Sequence, residues 1–390
     1  MGVKRVLVLG TSFSAVEMIK CIKDLGFYVI ACGMESNEPG HFIADDSVFL
    51  DYSDAIQIEE YIRANPIDFV VPTANDAAYR TGMELAKIFQ FPGFDDLDTA
   101  LNFLEKNHFR NLCKQLNLRI PRYSICDSQS VLHHQESFEI PFLIKPINGF
   151  SGNGIVKIHN EEMRSAIQKN IRIEDSTQIY VVEDFLKGTL HSHSAFVREG
   201  RIVKDFFVDE FCTINEFAVD SSNHPSNVGE DVRLQVKQMI EQILQYSNLT
   251  NGLIHTQFMV SNNQTYLIES MRRCPGDLYP KLIELSTGFN YIYNYVASFI
   301  QLPFSDSTTQ IGDQLPLARF TIASKHPTRI FGLKLTSVSK GFYFYPLSRN
   351  GDELKSFPGD KAGVLFVEIL NCDELFLEVP QFQQKIGIIE

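Results

Sequence analysis

Over the first hundred residues, short apolar runs alternate with segments of helical periodicity. Residues 6–9 are fully apolar and end in Gly10-Thr11-Ser12-Phe13-Ser14. Val16, Ile19 and Ile22 then recur at helical spacing, and Gly26 closes that segment. Residues 28–31 form a second strand, residues 48–50 end a third, residues 55–64 are helical, and residues 69–72 form a fourth strand. Strands alternating with helices predict a parallel sheet covered on both faces. Residues 93–99, rich in Asp and Gly, read as a linker. Residues 100–117 then read as one helix whose core face is Leu101, Leu104, Leu112 and Leu116.

The pattern changes after residue 140. Strands are expected at 142–144, 155–158 and 179–186, with a short helix at 162–169. A long amphipathic helix covers 228–245, strands 252–260 and 266–271 form a hairpin, and 281–300 is helical. From Leu315 onward Pro and Gly separate short strands at 317–320, 341–345 and 363–367. We expect three domains: a Rossmann-like parallel sheet at 1–97, a larger α+β unit at 98–310, and a small β-rich unit at 311–390.

Candidate chemistry concentrates at Pro141 to Ile155. A strand delivers Lys145, Pro146 ends it, and a loop follows with Gly149, Gly152 and Gly154 beside Ser151 and Asn153. A lysine at a strand end before a flexible Gly/Ser loop suits polyphosphate: a point charge with backbone N–H groups that close over oxygens. The alternative is a Gly-rich hairpin with a surface lysine. The turn after the first strand lacks Gly-x-Gly-x-x-Gly, which excludes a nicotinamide or flavin site there. That turn is either a small-anion site at a helix N-terminus or a tight βα turn. Asn75-Asp76 lies at a strand C-terminal end, where open sheets bind ligands; the other reading is an N-cap by Asp76. Lys106 and Arg110, four apart, read as a solvated helix face. His191 and His193 share a strand face, as a metal or acid site or as a polar sheet face. Gln257 and Glu269 face each other across a hairpin beside Arg272 and Arg273. They suit Mg²⁺ with phosphates, or form a salt-bridged hairpin end.

Composition narrows the classes. The chain has 390 residues and a net charge of −13, which argues against general nucleic-acid binding. No run of 18 apolar residues appears, so no membrane span is expected. The N-terminus reads as a strand and not as a signal peptide, and the seven cysteines are scattered singly with no Cys-x-x-Cys. Reduced thiols and a cytoplasmic location are the expectation, with no zinc site.

The order of these features resembles the ATP-grasp superfamily, in the carboxylate–amine ligase branch that includes amino-acid ligases and relatives of biotin carboxylase and carbamoyl-phosphate synthetase. The features are a βαβ domain, a lysine helix, Lys-Pro with a Gly-rich hairpin, Val-Glu-Asp-Phe-Leu-x-Gly, and a hairpin with Gln257 and Glu269 before Arg273. The resemblance implies an α/β chain in which two subdomains grip ATP. It implies that Lys106 and Lys145 contact phosphates and that Ser151, Gly152 and Gly154 belong to the closing loop. The hinge strand, Glu183, Asp184, Phe185 and Leu186, would read the adenine. Glu269 and Gln257 would hold Mg²⁺, for which Mn²⁺ substitutes, and Arg273 would stabilise the transferring phosphoryl group and the acyl phosphate. Met271 stands where the family usually has Asn, and Leu190 where many members have Glu. These departures point to a metal site shifted towards His191 or His193, or to a degenerate protein that binds nucleotide without turnover. The implied activity is an ATP-dependent ligase that activates a small carboxylic or amino acid as an acyl phosphate, releases ADP and phosphate, and forms an amide. Its partners would be ATP, a carboxylate and an amine, without nucleic acid or membrane. A homodimer through the N-terminal sheet fits that architecture.

Overall fold

The computed structural model describes residues 2–128, 130–147, 152, 154–166, 178–307, 315–336, 341–369 and 375–390. Strands β1 (Arg5–Leu9), β2 (Tyr28–Cys32), β3 (Asp46–Val48) and β4 (Phe69–Pro72) form a parallel sheet in the order β3-β2-β1-β4. Helices α1 (Val16–Asp24), α2 (Pro39–Ile43), α3 (Ala55–Ala64) and α4 (Asp76–Phe89) cover it. Val6–Leu9 and Val29–Cys32 are fully buried, as an apolar run in a doubly covered parallel sheet requires. The N-cap of α4 is Asn75, whose side chain accepts from the Ala77 N–H at 2.8 Å. Asp76 is thereby left for another task.

The helix expected over 100–117 is two helices, α5 (Leu97–Leu104) and α6 (Lys106–Gln115), broken where Glu105 is extended. The break makes Lys106 the first residue of α6. A second break at Gly288, with φ of 72°, divides the expected helix 281–300 into Tyr279–Thr287 and Tyr291–Phe299. Of the helix expected at 162–169, Glu161–Ser165 is helical and 167–169 lie outside the described residues. No helix among the described residues is long and apolar enough to cross a membrane.

Two antiparallel sheets follow. The smaller has the order β5-β8-β6-β7, from β5 (Tyr123–Asp127), β6 (Phe142–Pro146), β7 (Val156–Ile158) and β8 (Ile179–Asp184). The larger begins with β9 (Thr189–Arg198), β10 (Arg201–Phe211), β11 (Ser221–His224), β12 (Gly252–Ser261), β13 (Gln264–Met271) and β14 (Leu317–Ile322). The terminal region supplies β15 (Thr328–Arg329), β16 (Gly332–Leu335), β17 (Phe342–Pro346), β18 (Glu353–Leu354), β19 (Gly363–Glu368) and β20 (Ile386–Ile389). The large sheet has the order β13-β12-β9-β10-β11-β14-β19-β17, while β15-β18 and β16-β20 are separate ribbons. This sheet therefore runs through the boundary expected at residue 310. One of its faces packs on helix Glu230–Tyr246; the other packs on Tyr279–Thr287, Tyr291–Phe299 and the N-terminal unit.

Two buried ion pairs join these units. Arg272, at the end of β13, meets Asp95 at 2.7 Å, with both side chains almost fully buried. Asp95 also accepts from the Tyr79 hydroxyl of α4 at 2.8 Å and from the Thr250 N–H at 2.8 Å. Asp95, within the expected linker, is thus a buried strut. Glu183 of β8 does the same for the two antiparallel sheets. Its carboxylate takes Lys145 of β6 at 2.5 Å and Arg110 of α6 at 2.8 Å. Arg110 also donates to the carbonyls of Leu267 and Ile268 in β13, at 3.3 and 2.9 Å.

Burial alone would raise the Glu183 carboxyl, but the charges of Lys145 and Arg110 outweigh it and hold the group at about 2. A depressed carboxyl stabilises the fold fully above its unfolded value of 4.5, and that contribution is lost as pH falls from there through 2. Denaturant midpoints measured between pH 5 and pH 3 will fall more steeply for wild type than for Glu183→Gln. Asp95→Ala strands the Arg272 charge, and urea titration should show a loss of about 3–5 kcal/mol.

Candidate active site

The cleft lies where the small sheet and the first turn of α6 meet the end of the large sheet. Lys145 reaches it from the end of β6, which Pro146 terminates. Its ammonium is held by Glu183, and its side chain is 13% exposed. Lys106 comes from the N-terminal end of α6 and approaches the Ile147 carbonyl at 3.4 Å. Burial lowers the Lys106 pKa; the neighbouring Glu269 charge opposes this, and the like charge of Lys145 adds to it. The charge of Lys106 is therefore coupled to those of both Lys145 and Glu269. Arg110, expected on a solvated face, is instead buried at 3% exposure. Its partner lies 73 residues further along the chain, so no local pattern shows it.

The acidic side of the cleft is one face of the large sheet. Gln257 of β12 stands directly opposite Glu269 of β13 and Ser192 of β9. Gln257 Nε2 donates to Glu210 Oε2 at 2.7 Å, bringing a residue of β10 into the same group. Burial is the main cause that pushes the Glu210 carboxyl up to about 7; the Glu269 charge adds to it, while Ser192, Arg319 and Gln257 oppose it. Sequence reading passed over Glu210. The one available signal was an acidic pair, Asp209-Glu210, closing the apolar run of β10. Met271 is also in this region, opposite His255, and brings no polar group.

His191 and His193 do not belong to this group. Strand alternation places them on the opposite face from Ser192 and Gln257. There His191 meets Asp209 at 2.7 Å and stacks on Phe258, while His193 meets Asp205 at 3.1 Å. The metal site shifted towards these histidines is excluded by that register.

Arg273 reaches back to the N-terminal unit. Its Nε lies 2.6 Å from Asp76 Oδ1, and its Nη2 donates to Asp76 Oδ2 at 3.2 Å. Asp76 is the acid that the Asn75 cap released. The turn at Gly10–Ser14 does not present a free anion site at its threonine, because the Thr11 hydroxyl donates to Glu38. The hinge residues take different roles. Glu183 is occupied by Lys145 and Arg110, Asp184 pairs with Arg122 at 3.0 Å, and Phe185 lies under Lys157, 3.8 Å from its ring centroid. The backbone N–H groups of Asp184 and Phe185 donate to Arg122 and Pro141 carbonyls. Leu186 lines a solvent-facing hollow with Pro141 and Tyr266. Gly152 and Gly154 are left-handed, with φ of 75° and 76°, and a side chain on Gly152 would strike the Phe217 carbonyl. Ser151 lies outside the described residues.

The donor set fits a hard cation. Among the described residues no group of three His, Cys, Asp or Glu forms a metal cage. Magnesium needs less, because it binds through one or two carboxylates and completes its shell with phosphate oxygens and water. Glu269 and Glu210, flanking the Gln257 amide, supply such a set. A cation there would also relieve two acids that share a buried face.

The ATP-grasp domain family matches residues 138–279. Formate-dependent phosphoribosylglycinamide formyltransferase of Prochlorococcus marinus (strain NATL1A) is 30% identical over 276 residues, covering 68% of this chain and 69% of that protein. The L-amino acid ligase from Bacillus licheniformis superposes with a TM-score of 0.81 at 16% identity, over 99% of this chain and 98% of its own. The phosphoribosylglycinamide synthetase from Anaerococcus prevotii superposes with a TM-score of 0.77 at 18% identity, over the whole of both chains. The chain belongs to the ATP-grasp superfamily, in its carboxylate–amine ligase branch.

Proposed function

We propose that the protein is an ATP-dependent ligase that joins a small carboxylic or amino acid to an amine, with ATP, the acid and the amine as its substrates. The observation that carries this reading is Lys145, which Glu183 holds at 2.5 Å at the end of β6, within the residues that match the ATP-grasp domain. Lys106 adds a second cation whose charge interacts with those of Lys145 and Glu269, and two such cations near a metal-type acid suit a polyphosphate whose terminal group is about to leave. One relative is named as a formate-dependent phosphoribosylglycinamide formyltransferase and one structural neighbour as an L-amino acid ligase, and both names are in keeping with this reading.

In this reading a carboxylate oxygen of the acid attacks the γ-phosphorus. The bond from that phosphorus to the β-bridging oxygen breaks, and ADP leaves. The amine nitrogen then attacks the acyl carbon, the carbon–oxygen bond to phosphate breaks, and phosphate leaves. The nitrogen gives its extra proton to solvent. Little covalent chemistry falls to the protein, so positioning and charge do the work. Lys145 is fixed by Glu183 before substrate arrives, which lowers the reorganisation needed to meet the phosphates. Lys106 reaches the same oxygens from α6. Arg273, oriented by Asp76, carries a guanidinium whose charge is coupled to that of Glu269 and would stabilise the transferring group. Gly152 and Gly154 let the loop backbone pass close to a ligand. Glu269 and Glu210, with Gln257, would hold Mg²⁺. Bound there, that ion, or Mn²⁺ in its place, would supply positive charge against the transferring phosphates.

Product analysis tests the reading. The protein is incubated with ATP, Mg²⁺, hydroxylamine and a pool of amino acids and small acids including formate. ADP, phosphate and a hydroxamate are the expected products; AMP with pyrophosphate would replace this chemistry by adenylation. Lys145→Ala should lower ADP formation by about 100-fold or more while far-UV circular dichroism stays as in wild type. Glu269→Gln should raise the Mn²⁺ concentration that half-saturates the ADP complex, read by electron paramagnetic resonance, by about 10-fold or more.

A further inference from the structure

Among the described residues three arginines are buried: Arg110, Arg272 and Arg319, at 3%, 4% and 3% exposure. Arg110 has Glu183 and Arg272 has Asp95. Arg319 has no carboxylate among the described residues within 4.0 Å. Its Nε donates to the Ser222 hydroxyl at 2.9 Å, and Nη1 donates to the Asp277 carbonyl at 2.7 Å. Its second terminal nitrogen donates to no described protein atom. A buried charge without a counter-charge is costly. The fold nevertheless keeps this one, in a strand, Leu317–Ile322, that is otherwise apolar apart from a threonine.

Its position shows where a counter-charge would come from. Ser222 stands opposite both Glu210 and Arg319, so Arg319 lies on the same sheet face as Glu210, Gln257 and Glu269. Asp277, whose carbonyl it grips, forms an ion pair with Lys361. Asp277 and Leu278 are consecutive left-handed residues, each with φ of 55°. Strain of that kind persists where the surroundings enforce it and collects at binding sites. Lys361 in turn lies 5.7 Å from the ring of Phe13, in the turn after β1. Arg319 thus sits beneath the Arg272–Leu278 loop, which Lys361 ties towards the N-terminal unit, on the sheet face that also carries the carboxylates that would hold the metal.

We infer that Arg319 binds the carboxylate of the amine substrate, which is therefore of the amino-acid class. The inference rests on the ligase reading above and identifies one of its two organic substrates. A planar guanidinium with a free edge matches a carboxylate in a fork. A phosphate dianion fits less well: the one unmatched positive charge faces Glu210 and Asp277, and Lys361 is already matched. The amine end then points along the face towards Glu269 and Arg273, where the acyl group forms.

The test separates this inference from the reading it rests on. Hydroxamate formation by the wild type needs no acceptor carboxylate, so its absence would overturn the ligase reading alone. For Arg319, melting temperature is followed with the Mg²⁺ complex of the imido analogue of ATP. To this are added the twenty protein amino acids, their α-carboxamides, or the phosphate-bearing amines phosphoethanolamine and glucosamine 6-phosphate. We expect wild type to gain a further shift only from the free amino acids. Arg319→Gln and Arg319→Met should keep the nucleotide shift and lose the amino-acid shift, and Arg319→Lys should need about 10-fold or more amino acid for the same shift. Arg319→Met should also melt no lower than wild type, because it removes an unmatched buried charge; a structural strut would instead cost stability. An amino-acid shift that survives in the Gln and Met variants overturns the assignment. So does an equal shift from the carboxamides. A shift from the phosphate-bearing amines alone makes phosphate the bound group and overturns it as well.

Discussion

The arrangement depends first on one buried carboxylate. Glu183 lies at the end of the small sheet and holds Lys145 on the neighbouring strand, while its other oxygen holds Arg110 from α6. Arg110 Nη1 donates to two carbonyls of β13, the second one residue short of Glu269. A single acid therefore sets how the strand carrying Lys145 sits relative to the strand carrying Glu269. Two cations at contact distance, Lys145 at 2.5 Å and Arg110 at 2.8 Å, set Coulomb attraction in a dry interior against the cost of burying the acid. Remove that acid, and two cations repel each other where the phosphates are meant to bind.

A second constraint is the register of the large sheet. One residue of slip would carry Gln257 to the other face and bring Phe258 into the cleft. The bulge between Gln257 and Phe258 lets Glu269 stay opposite Gln257 while the rest of the hairpin pairs in its own register. The two faces consequently differ in chemistry. One gathers Glu210, Gln257, Glu269 and Arg319 around the cleft. The other keeps His191 and His193 with their own aspartates against the apolar side of helix Glu230–Tyr246.

These two constraints explain which parts of the molecule the sequence discloses. The N-terminal sheet was legible because each element carries its own period and its partners are close in sequence. The Gln257–Glu269 pairing was legible for the same reason, a hairpin of short span. Arg110 was not, because its i, i+4 spacing with Lys106 looks like any charged helix face until Glu183 is placed beside it. Glu210 and Arg319 were not, since each is a single polar residue in a strand whose neighbours come from distant segments. The break at Glu105 also went unseen. Glutamate is an adequate helix former, and it is tertiary contacts, among them the 3.0 Å pair between Glu105 and Arg80, that accompany the turn.

Met271 and Leu190 look at first like losses from the site, and Glu210 changes that view. The residue is not on the metal hairpin at all; it comes from β10, two strands away from Gln257 in the sheet order, and reaches the Gln257 amide directly. An acid supplied from across the sheet adds negative charge where the hairpin itself carries an amide and a thioether beside Glu269. The same reach keeps Glu210 within the field of Arg319, so the metal side and the acceptor side of the face share one carboxylate. Binding of a divalent cation would draw that carboxylate towards the metal and leave Arg319 the freer to take an anion from the substrate. Charge on this face is therefore incomplete from both ends, and ligands of opposite sign complete it.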